Sequence, residues 1–247
     1  MRYFLIILLI SFLSKNSYAQ PEKVHFSSKD GVRITADYYR IHADTVPLII
    51  LFHQAGWSRG EYIEIAPRLN QLGYNCLAVD LRSGKTVNNV DNETFLEAKK
   101  KMKETNYLSA ETDIIASVDY GLNIAGGKIF LWGSSYSASL ALKTATEYQE
   151  QVQAVLAFSP GEYFRSFGKP SDFISESVTG LNIAAFITCA NREKEKCEII
   201  YDNIPSSNKV FFVPETSGNH GSSALWNIHF DSKAYWGAVE SFLKANK

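Results

Sequence analysis

Short, nearly continuous apolar runs recur along the chain at Leu48 to Phe52, Cys76 to Val79, Ile129 to Trp132, Val155 to Phe158, Ala184 to Ile187 and Val210 to Val213. Runs that are apolar at every position do not alternate, so both of their faces must be covered. That is the pattern of strands in a parallel sheet sandwiched by helices. Two earlier segments differ. Val24 to Ser27 and Arg33 to Arg40 flank the turn residues Asp30-Gly31, and the second alternates apolar with polar positions. They predict an antiparallel hairpin at the sheet edge.

Between the runs the period changes to that of a helix. Ser58-Arg59-Gly60-Glu61 fits a capping box, after which Tyr62, Ile65, Ala66 and Leu69 recur at helical spacing until Gly73. Ile114, Val118 and Leu122 form a second stripe, and Tyr235, Val239, Phe242 and Leu243 a third. Strands alternating with helices predict an α/β fold with a doubly wound, mostly parallel sheet in one domain over residues 20–247. The chemistry of such sheets lies in loops beyond the carboxyl ends of the strands. Ser83 to Ala110 is the one long interruption, with Phe95 to Met102 helical in composition. A segment of that length is expected to be a functional flap or partly disordered. Its Lys99-Lys100-Lys101 run reads as a solvated face.

The first nineteen residues stand apart from this pattern. Arg2 is followed by an apolar stretch from Tyr3 to Leu13, and Ser17-Tyr18-Ala19 ends in small residues. This predicts a signal peptide cut before Gln20 and a periplasmic or secreted mature protein. The stretch is shorter than the ~20 residues that span a bilayer, so no stable membrane anchor is expected after cleavage. With 25 basic and 26 acidic residues, nothing in the charge suggests nucleic acid as a partner. Of the three cysteines, Cys76 lies in an apolar run, while Cys189 and Cys197 leave a disulfide open. No His or Cys spacing fits a zinc site.

The run ending at Trp132 continues as Gly133-Ser134-Ser135-Tyr136-Ser137-Ala138 into a helix-forming stretch. A nucleophile on a sharp strand-to-helix turn needs small neighbours, and the helix N-terminus points backbone donors at it. Ser135 is therefore the candidate nucleophile, with Ser137 standing where a second glycine is common. A serine hydroxyl requires a base to take its proton. His220, in Ser217-Gly218-Asn219-His220-Gly221 after the last apolar run, has the right place, whereas His53 reads as a structural part of the preceding loop. The acid that orients the imidazole should lie between them in the chain. Glu193, shortly after the run ending at Ile187, is the candidate, and Glu162 is its nearest competitor. Two oxyanion donors are expected from backbone: Tyr136 N–H, and Ala55 or alternatively Gln54 N–H in His53-Gln54-Ala55-Gly56-Trp57. Trp57, Tyr136, Tyr163 and Phe164 adjoin these positions as candidates for an acyl pocket or for core packing.

In these motifs the chain resembles the α/β-hydrolase superfamily, in particular its dienelactone-hydrolase-like and small serine esterase branch. The resemblance implies an eight-stranded, mostly parallel sheet with an N-terminal antiparallel hairpin. It also implies hydrolysis of a small ester by Ser135, His220 and Glu193 without metal or organic cofactor. No long insertion separates Phe158 from Ile183, so no large cap domain is expected. A peptidase or amidase on the same scaffold, and a noncatalytic binding protein that kept the fold, are the alternative readings.

Overall fold

Both hairpin segments and all six apolar runs become strands of one sheet. In the computed structural model, which describes residues 20–247, the strands are β1 (Glu22–Ser27), β2 (Arg33–Tyr39), β3 (Leu48–Phe52), β4 (Asn75–Val79), β7 (Ile129–Ser134), β8 (Val152–Phe158), β9 (Ala184–Thr188) and β10 (Lys209–Phe212). A separate two-stranded hairpin, β5 (Thr86–Val87) and β6 (Val90–Asp91), lies between β4 and β7. The large sheet has the order β1-β2-β4-β3-β7-β8-β9-β10. β1 and β2 are antiparallel, β2 is antiparallel to β4, and every later pairing is parallel. The signal peptide expected over residues 1–19 lies outside the described residues. Among the described residues no helix is long and apolar enough to cross a membrane.

The helices are α1 (Ile65–Gln71), α2 (Glu93–Lys100), α3 (Glu111–Ile124), α4 (Tyr136–Glu147), α5 (Phe173–Ser177), α6 (Lys194–Asp202) and α7 (Ser232–Asn246). Successive residues of a strand point to opposite faces, so one apolar run supplies two cores. Ile50 and Phe52 of β3 pack with Ile114 and Val118 of α3 and Leu140 of α4. Ile49 and Leu51 pack on the other face with Ile65 and Leu69 of α1 and Val239 and Phe242 of α7. Only the five-residue helix α5 and a 3-10 turn occupy the stretch between β8 and β9, so that crossover carries no large cap.

Three expectations change in the folded chain. The capping box does not form: the Ser58 hydroxyl accepts from Gly60 N, but Glu61 turns inward instead of back, and Arg59–Tyr62 is a 3-10 turn that precedes α1. In α3, Leu122 faces the surface, and Gly121 takes the inner position because a side chain there would collide with Ile50 of β3. The segment Ser83–Ala110 is an ordered clamp. Its hairpin grips the 3-10 turn through Ser58 Oγ to Val90 O (2.6 Å) and Asn88 Nδ2 to Gly60 O (2.9 Å), and α2 is capped by Asn92 Oδ1, which accepts from Phe95 N at 2.7 Å. Its lysine run is exposed, as the charge pattern suggests. Cys189 and Cys197 are buried free thiols, and the Cys197 thiol lies 3.2 Å from Pro160 O.

Just past β4, the Arg82 guanidinium is buried against Asp113 in the first turn of α3 (Nη2 to Oδ1, 2.7 Å) and Asp30 in the β1–β2 turn (Nη1 to Oδ2, 2.8 Å). Arg82 N also donates to Asp113 Oδ2 at 2.8 Å. Truncation would strand the Asp113 carboxylate in the interior, where an unpaired charge is expensive. Arg82→Ala should therefore lose about 3–5 kcal/mol of stability, read as a lower midpoint in urea unfolding.

Candidate active site

Five loops at the carboxyl ends of β3, β7, β8, β9 and β10 build the candidate site. β7 ends at Ser134 and α4 begins at Tyr136, so the whole reversal falls on Ser135, whose backbone sits at φ 61 and ψ −124. A positive φ at a residue with a side chain costs about 1–3 kcal/mol and persists only when its surroundings enforce it. Here they do. A Cβ on Gly133 would press into the backbone of Ala138, so only glycine allows strand and helix to approach this closely. The Ser137 hydroxyl accepts from Ser134 N at 2.9 Å and lies 2.8 Å from Phe52 O, which pins the turn to the end of β3. Serine at this position thus binds the turn together, a role a glycine could not fill.

The loop after β3 is held by a neutral histidine. His53 is fully buried, with Nδ1 donating to Gln54 O (2.8 Å) and Nε2 accepting from Leu81 N (2.9 Å). Asn92 Nδ2, from the clamp segment, lies 3.1 Å from the same Nε2. Burial pushes the pKa of His53 down to about 4. Gln54 N donates to Glu61 Oε2 at 2.7 Å, while among the described residues neither Ala55 N–H nor Tyr136 N–H has a protein partner.

The imidazole and carboxylate expected to cooperate do meet. His220 Nδ1 lies 2.7 Å from Glu193 Oε1. The Ser159 hydroxyl, at the end of β8, donates to Glu193 Oε2 at 2.7 Å and accepts from Gly221 N at 3.0 Å, joining the acid to the histidine loop. Burial disfavours the charged carboxyl of Glu193, but the hydrogen bonds from the His220 ring and Ser159 outweigh it and hold the group below its ordinary range. Glu162 is turned elsewhere, accepting from Ile174 N and Ser175 N (each 2.8 Å) at the start of α5. Gly221 has φ 71 and stands where a Cβ would lie 2.5 Å from Ser134 Oγ, so the histidine loop passes directly over the Ser134–Ser135 turn. The Tyr163 hydroxyl donates to Ser159 O at 2.8 Å, and among the described residues the ring of His220 is hydrogen-bonded to Glu193 and not to Ser135.

A cavity of about 650 Å³ opens beside His220 and Glu193, lined also by Tyr163, Glu162, Ser175 and Cys197. Of the aromatic candidates, Tyr163 lines this cavity. Trp57 instead stacks on Trp226 at 5.2 Å, and Tyr136 and Phe164 are fully buried in the core. Among the described residues no group of three or more His, Cys, Asp or Glu side chains is placed to hold a metal ion. Sequence reasoning missed Ser159, Ser134 and Glu61. The first two follow apolar runs and could have been suspected from that position, but Glu61 was hidden by its fit to a helix cap.

No known family matches the sequence, and no curated protein does. Among solved structures, a Pyrococcus furiosus esterase superposes with a TM-score of 0.69 at 18% identity, over 92% of this chain and 92% of that one. A dienelactone hydrolase from Anabaena variabilis gives 0.69 at 15% identity, over 92% and 99%. Est1E from Butyrivibrio proteoclasticus, solved with ferulic acid bound, gives 0.66 at 14% identity, over 90% and 98%. The chain has the α/β-hydrolase fold.

The unfolded chain takes up a proton on His53 near 6.5, whereas the folded chain refuses it until about 4. Between these values the unfolded state binds more protons, so this group's contribution to stability is present at neutral pH and lost as pH falls. The stability advantage of the wild type over His53→Gln should shrink by on the order of 3 kcal/mol from pH 7 to pH 4 in chemical denaturation. Ring resonances of His53 should stay those of a neutral imidazole across most of that range.

Proposed function

We propose that this protein is a serine hydrolase that cleaves carboxylic esters through an acyl-enzyme, with Ser135 as nucleophile, His220 as general base and Glu193 as the orienting acid. The observation that carries the reading is the 2.7 Å contact of Glu193 with His220 Nδ1, in a loop that crosses the strained Ser135 turn. With Nδ1–H donating to the carboxylate, the basic lone pair is on Nε2, the nitrogen free to take the Ser135 proton. Hydrogen bonds between nucleophile and base are often long before substrate binds and tighten with it.

Attack of Ser135 Oγ on the ester carbonyl forms the new C–O bond as His220 accepts the proton. Ala55 and Tyr136 N–H stabilise the resulting oxyanion, since Gln54 N–H is already taken up by Glu61. The imidazolium returns its proton to the departing alcohol oxygen, and a water activated by the same ring releases the acid and regenerates Ser135. The cavity beside His220 has room for a small acyl or alcohol group. The esterases and the dienelactone hydrolase that share the fold support the ester reading by analogy. The first nineteen residues support export of the enzyme to the periplasm or beyond.

Ser135→Ala should stay folded, lose labelling by a fluorophosphonate probe, and lower p-nitrophenyl acetate hydrolysis by about 10³-fold or more. Mass spectrometry should place the wild-type adduct on Ser135. Hydrolysis at the wild-type rate in Ser135→Ala would end the proposal. Matched esters and amides assayed side by side separate esterase from amidase.

A further inference from the structure

Glu61 has no part in the chemistry above, yet it is fully buried at the point where the catalytic segments meet. Its Oε2 accepts from Gln54 N at 2.7 Å, in the loop that carries Ala55. Its Oε1 accepts from the Ser134 hydroxyl at 2.7 Å, immediately before the nucleophile. The same Ser134 oxygen accepts from Ser222 N at 2.8 Å, two residues after His220. The backbone carbonyl of Glu61 adds a bond from Trp226 Nε1 at 2.9 Å, farther along the histidine loop. One residue therefore touches the oxyanion loop and the nucleophile turn directly, and the histidine loop through one hydroxyl and one indole.

We propose that Glu61 is a positioning residue: its carboxylate, by accepting from Gln54 N–H and the Ser134 hydroxyl together, sets the spacing between the oxyanion donors and the nucleophile and aligns the histidine loop over them. The inference rests on the hydrolase reading of Ser135. The ionised form accepts at both oxygens, from the backbone N–H and from the hydroxyl; a proton on the carboxyl would turn the Ser134 bond round and take from that hydroxyl the acceptor that orients it. Among the described residues no cation pairs with Glu61. The titratable groups that face it are the phenols of Tyr62 and Tyr136, which burial keeps neutral. Burial likewise pushes the carboxyl's pKa up to about 7, against the opposing pull of its hydrogen bonds from Ser134 and Gln54. The aligned state thus fills as pH rises through neutrality.

Wild type and Glu61→Gln are compared for kcat and KM on p-nitrophenyl acetate from pH 5.5 to 8.5. The amide keeps the shape and one acceptor but cannot accept at both positions. At pH 8 kcat should fall about 10- to 100-fold in the variant, the size expected for a sub-ångström misalignment, with KM within about 3-fold. The wild-type to variant ratio should shrink toward unity at pH 5.5, where the wild type has also lost the charge. In wild-type protein the amide proton of Gln54 should shift in NMR with the same midpoint as that ratio, a readout that stands even if Glu61→Gln does not fold. Equal kcat at pH 8, a ratio independent of pH, or a Gln54 amide that does not titrate overturns the inference while leaving the hydrolase reading intact. Wild-type protein inert to both ester and fluorophosphonate overturns the hydrolase reading, and this inference with it.

Discussion

Three loops that are far apart in the chain meet at one buried carboxyl group. Glu61 takes a hydrogen bond from the loop after β3 and another from the turn after β7, and the loop after β10 joins through Ser134. In a dry interior each such bond is electrostatically stronger than in water, and any member left without its partner is correspondingly costly. A network of that kind tolerates few arrangements. Together with Gly133 and Ser137 it surrounds the strained backbone at Ser135, and it ties the loop of Gly221 and Ser222 to the Ser134–Ser135 turn.

Serine hydroxyls do most of the joining. A hydroxyl donates once and accepts twice, so a side chain of a single heavy atom beyond Cβ can bind three groups in a crowded place. Ser134 connects Glu61 to Ser222, Ser137 connects the turn to the end of β3, and Ser159 connects Glu193 to Gly221. The serine-rich turn is therefore a set of small adaptors around Ser135. The acid–histidine pair gains from the same device, since Ser159 fixes Glu193 from the side opposite the ring.

The long polar segment between β4 and α3 belongs to this support. Asn92 caps α2 with its side-chain oxygen while its amide nitrogen reaches Leu81 O and Trp57 O, at 2.8 and 3.0 Å. The β5–β6 hairpin grips the turn that carries Glu61, and Arg59 of that turn pairs with Asp80 at 2.6 Å. Its polarity, which by itself suggests a flap, reflects the number of hydrogen bonds that hold the loop after β3.

The chain alone determined the layout: eight strands from two hairpin segments and six apolar runs, their mostly parallel pairing, and the placement of Ser135, Glu193 and His220 at strand ends. These follow from local periodicity and turn chemistry, which a linear sequence records. What only the tertiary structure decided is the identity of partners across space. Whether a carboxylate caps a helix or binds a strand-to-helix turn from below is written in the same residue types, as Glu61 shows by leaving its apparent capping box for Ser134. The choice between Glu193 and Glu162 as partner of His220 is likewise set by how β8 and β9 bring their loops together, because hydrogen bonds depend on distances that sequence separation does not encode.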